Sequence, residues 1–205
     1  MFLEPNAIKL NNARMEHLAS LNLAIAGKRV LEVGGGIGLL TPFFDELGCD
    51  VLSTEARPDN VKEMARRRPG KQVDVLDLDT ETDLSRFGQF DIVFCYGTLY
   101  HLANPRGALQ AMAGACSDML LLETCTSPGT HVDSHPVRES QSINQALRLI
   151  GCRPTRPWIM EQLKELWGYA YISNTQPNSD EFETDWATPS KHGNHRAVFV
   201  GSRNK

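Results

Sequence analysis

The sequence predicts an α/β domain in which a parallel sheet is covered by helices on both faces. Three observations support that class. Short apolar runs alternate with helix-like stretches of about ten residues through the first two thirds of the chain, as βαβ crossovers require. The glycines Gly34, Gly35, Gly36 and Gly38 follow the first apolar run and precede a helical one. The 205 residues suit one domain with a sizeable core, and no Pro/Gly/Ser-rich linker separates a second.

Taken in order, "ARMEHLASLNLAIA" places apolar residues at helical spacing and "KRVLEV" is a short buried strand. "GLLTPFFDELG" is helical, ending at Gly48, and "CDVLSTE" is a strand. "PDNVKEMARRR" is a helix with Pro58 near its start. "KQVDVLDL" and "FDIVFCYG" are strands, "PRGALQAMAGAC" a helix and "DMLLLET" a strand. The last third changes character. "CTSPGTHVDSHPVRESQS" is polar and turn-rich, which predicts a long loop. "ESQSINQALRLIG" and "RPWIMEQLKELW" read as helices, while "YAYIS" and "RAVFVGS" alternate like strands. The segment between those two strands is too long for a plain connector, which points to function or disorder.

Composition narrows the function classes. The net charge is −4, and an acidic balance argues against a nucleic-acid backbone as the main partner. The basic run Arg66-Arg67-Arg68 with Lys71 reads as a solvated helix end. No apolar segment approaches the roughly 20 residues of a membrane span, and the first residues lack the apolar core of a signal peptide. Cys49, Cys95, Cys116, Cys125 and Cys152 are scattered and odd in number, with no CxxC pair. These features predict a reduced, cytoplasmic protein that handles a small molecule. They leave its oligomeric state open.

The glycines explain more. Gly34, Gly36 and Gly38 form GxGxG between a strand and a helix, where a Cβ would block a ligand from the backbone. A tight strand-to-helix turn is the simpler alternative. Glu32 lies two residues before Gly34, and Glu55 closes the next strand, where a carboxylate can accept ribose hydroxyls. Leu39 stands where a dinucleotide fingerprint wants Gly or Ala.

In "LEVGGGIG", "STEARPDNV", "VDVLDLD" and "FDIVFCYGTLYHL" the chain resembles the class I S-adenosylmethionine-dependent methyltransferases. The resemblance spans about residues 28–123, and "RAVFVGS" fits the family's antiparallel last strand. It implies a Rossmann-like, doubly wound, mostly parallel seven-stranded sheet. It implies S-adenosyl-L-methionine as cofactor, with Glu32, Gly34, Gly36 and Gly38 around its methionine part and Glu55 on its ribose. Ala56, Asp77, Leu78, Cys95 and Tyr96 fall beside the cofactor on the same basis, although Asp79 competes with Asp77 and Cys95 also reads as packing. Asp91 opens a strand and reads as structural. Arg14 and His17 share a helix face. The family's N-terminal helix often closes over the cofactor, which puts Arg14 in reach of its carboxylate; a surface arginine is the other reading. The expected organisation is one domain over 1–205. It divides into a cofactor cover at 1–27, a binding core at 28–123, acceptor-side elements at 124–195 and the last strand at 196–202.

Methyl transfer from a sulfonium is an in-line displacement, so the protein mainly aligns the reactants, worth about 7–11 kcal/mol. A hydroxyl acceptor must also lose a proton, and histidine suits that task. His101, just after the fourth strand in "TLYHL", is the expected general base; shaping the pocket or capping the next helix is the alternative. Tyr100 lines the acceptor pocket or packs in the core. Arg153, Arg156 and Trp186, with Trp158 and Asp185 nearby, suit an acceptor pocket or pin loops to the sheet. "HVDSHP" offers His131, Asp133 and His135 on one side of an extended segment, a set that manganese, iron or zinc accepts. A plain polar loop is the preferred reading there, with no required metal.

"CYGT" replaces the Asn-Pro-Pro-Tyr type motif of base amino methyltransferases, and Cys95 lacks a Pro-Cys context. The expectation is therefore methylation of a small molecule, on a hydroxyl of a sugar or metabolite. The alternatives are a small-molecule N-methyltransferase, a silent cofactor-binding module and an NAD(P)-dependent oxidoreductase. The last lacks a Tyr-x-x-x-Lys pair.

Overall fold

The computed structural model of the chain describes residues 2–142, 144–185 and 195–205. The first half runs α1 (Pro5–Ser20), β1 (Arg29–Val33), α2 (Pro42–Glu46), β2 (Asp50–Glu55), α3 (Pro58–Arg67), β3 (Gln72–Val75) and β4 (Phe90–Tyr96). It continues with α4 (Pro105–Ala115), β5 (Cys116–Thr126), β6 (Ser134–Arg138), β7 (Ile150–Pro154), α5 (Arg156–Trp167), β8 (Tyr169–Ile172) and β9 (His195–Ser202). Proline stands in the first two positions of each α-helix, where a missing N–H costs nothing. Asn104 caps α4 by accepting from the Gly107 amide at 3.0 Å, and Gly168 ends α5 with φ +91°.

The main sheet has seven strands in the order β3-β2-β1-β4-β5-β9-β8. Strands β1 to β5 pair in parallel, and β9 runs antiparallel to both of its neighbours. Alternation along the strands builds two cores. Leu31, Val93, Leu120 and Leu122 pack with α4 and α5, including Leu109, Ile159 and Trp167. Val30, Ile92, Phe94 and Leu121 pack on the other face with Leu18 of α1 and Phe44 of α2. Each such fully buried side chain contributes about 1.5–3 kcal/mol. Among the described residues no helix is long and apolar enough to cross a membrane.

Four local expectations are corrected. The α2 helix is one short turn, because Pro42 cannot continue a helix from Gly38 and Gly48 breaks it at φ +71°. The expected long loop after β5 holds β6, which pairs antiparallel with β7 from Ser134↔Pro154 to Arg138↔Ile150. Among the described residues, no helix forms between 139 and 149. There the Glu139 carboxylate accepts from the Ala146 amide at 2.7 Å, and the Glu139 amide donates to Leu149 O at 3.0 Å. These bonds replace the helical ladder with a strap. In the basic run, Arg66 and Arg67 pair with Glu63 on the surface, but Arg68 is buried, donating to Ser53 Oγ and Asp45.

Candidate active site

The ends of β1, β2, β3 and β4 open into one crevice of about 250 Å³, floored by the glycine turn and roofed by α1. This is the switch point where the strand order reverses between β1 and β4, the place where open α/β sheets bind ligands. Of the expected site residues, Arg14, Gly34, Gly36, Glu55, Ala56, Asp77, Leu78, Tyr96, Tyr100 and His101 line it.

The glycines divide the work. Gly36 has φ +58°, which side-chain-bearing residues rarely adopt. A Cβ there would meet only the Phe2 ring, at 2.9 Å, so this glycine presents bare backbone to the crevice. The other two have close neighbours of their own: Gly34 lines the crevice, and Gly38 does not. A Cβ on Gly34 would lie 2.0 Å from Thr98 Oγ1, and one on Gly38 would lie 2.9 Å from Met64 and Arg68. Gly34 lets Thr98 donate to Val33 O at 3.2 Å, and Gly38 lets α3 approach the turn. Glu32 does not line the crevice; it lies under the turn, accepting from Thr41 Oγ1 at 2.5 Å. Burial pushes its carboxyl up, despite the Thr41 and Ser53 hydroxyls. Cys95 is core packing, and burial drives its thiol up to about 12.

Beyond the turn, Glu55 accepts from the Gly36 and Arg57 amides, each at 3.1 Å. Asp77 pairs with Arg148 at 3.3 Å across the crevice mouth. Asp77 also accepts from the Asp79 amide at 3.0 Å, while Asp79 is held by the Ala103 and Asn104 amides at 2.8 and 3.1 Å. Asp91 accepts from the Arg29 amide at 2.8 Å, a structural role.

The far wall is a buried charge network. Glu123, fully buried at the end of β5, accepts from Arg14 Nη2 at 2.6 Å and from Arg196 Nη1 at 3.1 Å. Burial alone would raise its carboxyl; the two guanidiniums outweigh that and hold it below the usual range. Arg196 also donates to Glu181 at 2.6 Å and to the Tyr100 hydroxyl at 3.3 Å. Burial pushes the Tyr96 and Tyr100 hydroxyls up, so both stay protonated. His17 turns away from Arg14 to bond Thr175. Glu123, Arg196 and Phe2 escape sequence reading because nothing local marks them; the fold alone brings them to the crevice.

His101 sits on the crevice rim with its ring 3.9 Å from that of Tyr100. Its Nδ1 lies 2.6 Å from Glu139 Oε2. Burial would raise the Glu139 carboxyl, but the bonds from His101 and the Ala146 amide prevail and lower it, with help from Arg153. Arg153 does not line the crevice; it reaches Glu139 at 3.4 Å and supports Tyr100 from behind. Arg156, the first residue of α5, does not line this crevice; it is buried and donates to Glu183 O at 2.6 Å. Trp186 lies outside the described residues.

Residues 31–118 match the model of a family described as a methyltransferase domain. Over 108 residues the chain is 32% identical to the ubiquinone biosynthesis O-methyltransferase of Erwinia tasmaniensis, covering 51% of this chain and 44% of that protein. A namesake from Xanthomonas euvesicatoria pv. vesicatoria is 37% identical over 111 residues, with the same coverage. The match thus spans under half of the relatives' length. Two solved structures share the fold across 97% of this chain. The N-terminal domain of EvdMO1 with SAH bound has a TM-score of 0.74 at 19% identity, over 84% of that chain. Magnesium protoporphyrin IX methyltransferase from Synechocystis PCC 6803 with bound SAM has a TM-score of 0.63 at 14% identity, over 82% of that chain.

Residues 31–118 are thus similar to a methyltransferase domain, and the chain shares its fold with solved methyltransferases. The residues of the crevice fit S-adenosylmethionine, the ligand bound in one of those solved structures. Gly36 offers an open cradle, Glu55 a carboxylate at the tip of β2, and Leu76, Leu78 and Leu102 apolar walls. The buried Tyr96 hydroxyl and Arg14 Nε have no hydrogen-bond partner among the described residues, as donors awaiting a ligand would.

Proposed function

We propose that this chain transfers a methyl group from S-adenosylmethionine to a hydroxyl of a small molecule, a sugar or other metabolite, with His101 as general base. The observation that carries the reading is the His101–Glu139 pair on the crevice rim. Nδ1–H donates to the ionised Glu139, which leaves Nε2 to take the proton. The curated relatives named as O-methyltransferases support oxygen as the acceptor atom.

The cofactor supplies an electrophilic methyl on a sulfonium. In this reading Gly36 and Glu55 hold its nucleoside end, and Arg14, fixed by Glu123, faces its carboxylate. Tyr100 and Arg196 border the acceptor. His101 would take the proton of an acceptor hydroxyl, and the buried Glu139 carboxylate would stabilise the resulting imidazolium. The neighbouring network excludes water and orders the reactants in line.

The test supplies isotopically labelled S-adenosylmethionine with a metabolite extract to wild type and to His101→Ala, and follows label by mass spectrometry. Loss of a general base predicts a fall of about 10²–10⁴-fold with SAH affinity unchanged. Undiminished transfer by the variant removes His101 from the chemistry. SAH binding without transfer by wild type points to the silent module.

A further inference from the structure

We propose that His131, Asp133 and His135 bind one divalent transition-metal ion, of the zinc, cobalt or nickel class, at a site separate from the crevice. One ligand atom from each residue lies within 4.8 Å of the others, the one such group of three among the described residues. None of the three lines the crevice. The alternating spacing puts all three on one side of an extended segment that becomes β6.

The site is built rather than accidental. Thr155, the cap of α5, pins the segment from below. Its hydroxyl donates to His131 O at 2.6 Å and accepts from the Asp133 amide at 3.2 Å, while its amide donates to Asp133 O at 2.8 Å. The Ser134 amide holds Asp133 Oδ1 at 2.6 Å and so orients the carboxylate. Its Oδ2 stands 3.3 Å from His135 Nδ1. Two ligands, each about 2.0–2.1 Å from a tetrahedral ion, lie roughly 3.4 Å apart, so this pair is already at ligand spacing. The His131 ring folds over Gly129, where a Cβ would sit 2.8 Å from it. All three side chains are exposed to solvent, from which an ion can reach them.

Two imidazoles and one carboxylate select borderline d-block ions over magnesium or calcium, which demand oxygen. Water completes the coordination. The bound ion clips residues 131–133 to the start of β6 and, through Thr155, to the first turn of α5.

The full chain, stripped with chelator, is titrated with cobalt(II) by absorption and with zinc(II) by calorimetry. The proposal expects one ion per chain and a melting temperature raised by zinc. The double variant His131→Ala/His135→Ala should bind at least about tenfold more weakly and lose the thermal shift, and Asp133→Asn should weaken binding in the same direction. Unchanged SAH affinity in each variant confirms an intact fold. Uptake by the double variant equal to wild type, or no uptake by wild type, overturns the site.

Discussion

Replacing Glu123 by Gln tests the buried network that forms the crevice wall. The carboxylate is fully buried between Arg14 at 2.6 Å and Arg196 at 3.1 Å, and both guanidiniums are themselves buried. Removing one partner of a buried pair costs about 3–5 kcal/mol, because the remaining charge is desolvated and unmatched. Arg196 keeps Glu181 at 2.6 Å and Arg14 keeps Asn11 at 3.0 Å, which limits the loss to that range rather than twice it. At about 2–4 °C per kcal/mol for a chain of this size, the melting temperature falls by roughly 6–20 °C. The pH dependence has a definite sign. Arg14 and Arg196 hold the Glu123 carboxyl below its ordinary 4.5 against the opposing effect of burial, so its stabilisation is complete above that pH. It is lost as pH falls through the lower folded value. The gap between wild type and Glu123→Gln should therefore narrow in acid below about pH 4.5. Calorimetric melts from pH 3 to 8 measure it. A fall under about 2 °C at neutral pH, or a gap independent of pH, refutes the reasoning.

Three further outcomes are expected. Gly36→Val forces a β-branched residue to φ +58° and into the Phe2 ring, so SAH binding should vanish in calorimetry while circular dichroism still shows a folded sheet. Glu139→Gln keeps a hydrogen bond to His101 but loses its charge, which removes about 1–1.5 kcal/mol and slows methyl transfer roughly tenfold at unchanged SAH affinity. Gly34→Ala drives a methyl onto Thr98 Oγ1 and should lower the melting temperature; Gly34→Ala with Thr98→Gly should recover part of the loss.

The sheet and the near side of the crevice were readable because their signals are local. An apolar run, a glycine turn and a carboxylate at the next strand's tip all lie within residues 28–79. The far side was not, because its residues meet only through the fold. Glu123 reads as the end of an apolar strand, and nothing near it predicts that Arg14 and Arg196 converge there. Glu139 sits in a segment of helical composition, yet its bonds to His101 and Ala146 override that propensity. In the motif Glu32, Gly34, Gly36 and Gly38, the two glycines Gly34 and Gly36 line the crevice, while Glu32 and Gly38 support the turn from behind. The spacing alone does not reveal that division. A charged residue at a helix start, such as Arg156, gives no sign in the sequence that it will be buried.

Calorimetric titration of SAH into wild type and Glu55→Ala bears on the whole account. The two amide bonds that organise Glu55 place its carboxylate beside Gly36, where a ribose can reach it. One bound SAH per wild-type chain is expected, with affinity weakened by about 1.5–3 kcal/mol, roughly 10- to 150-fold, in the variant. Equal affinities in the two proteins, or no binding to wild type, would contradict it.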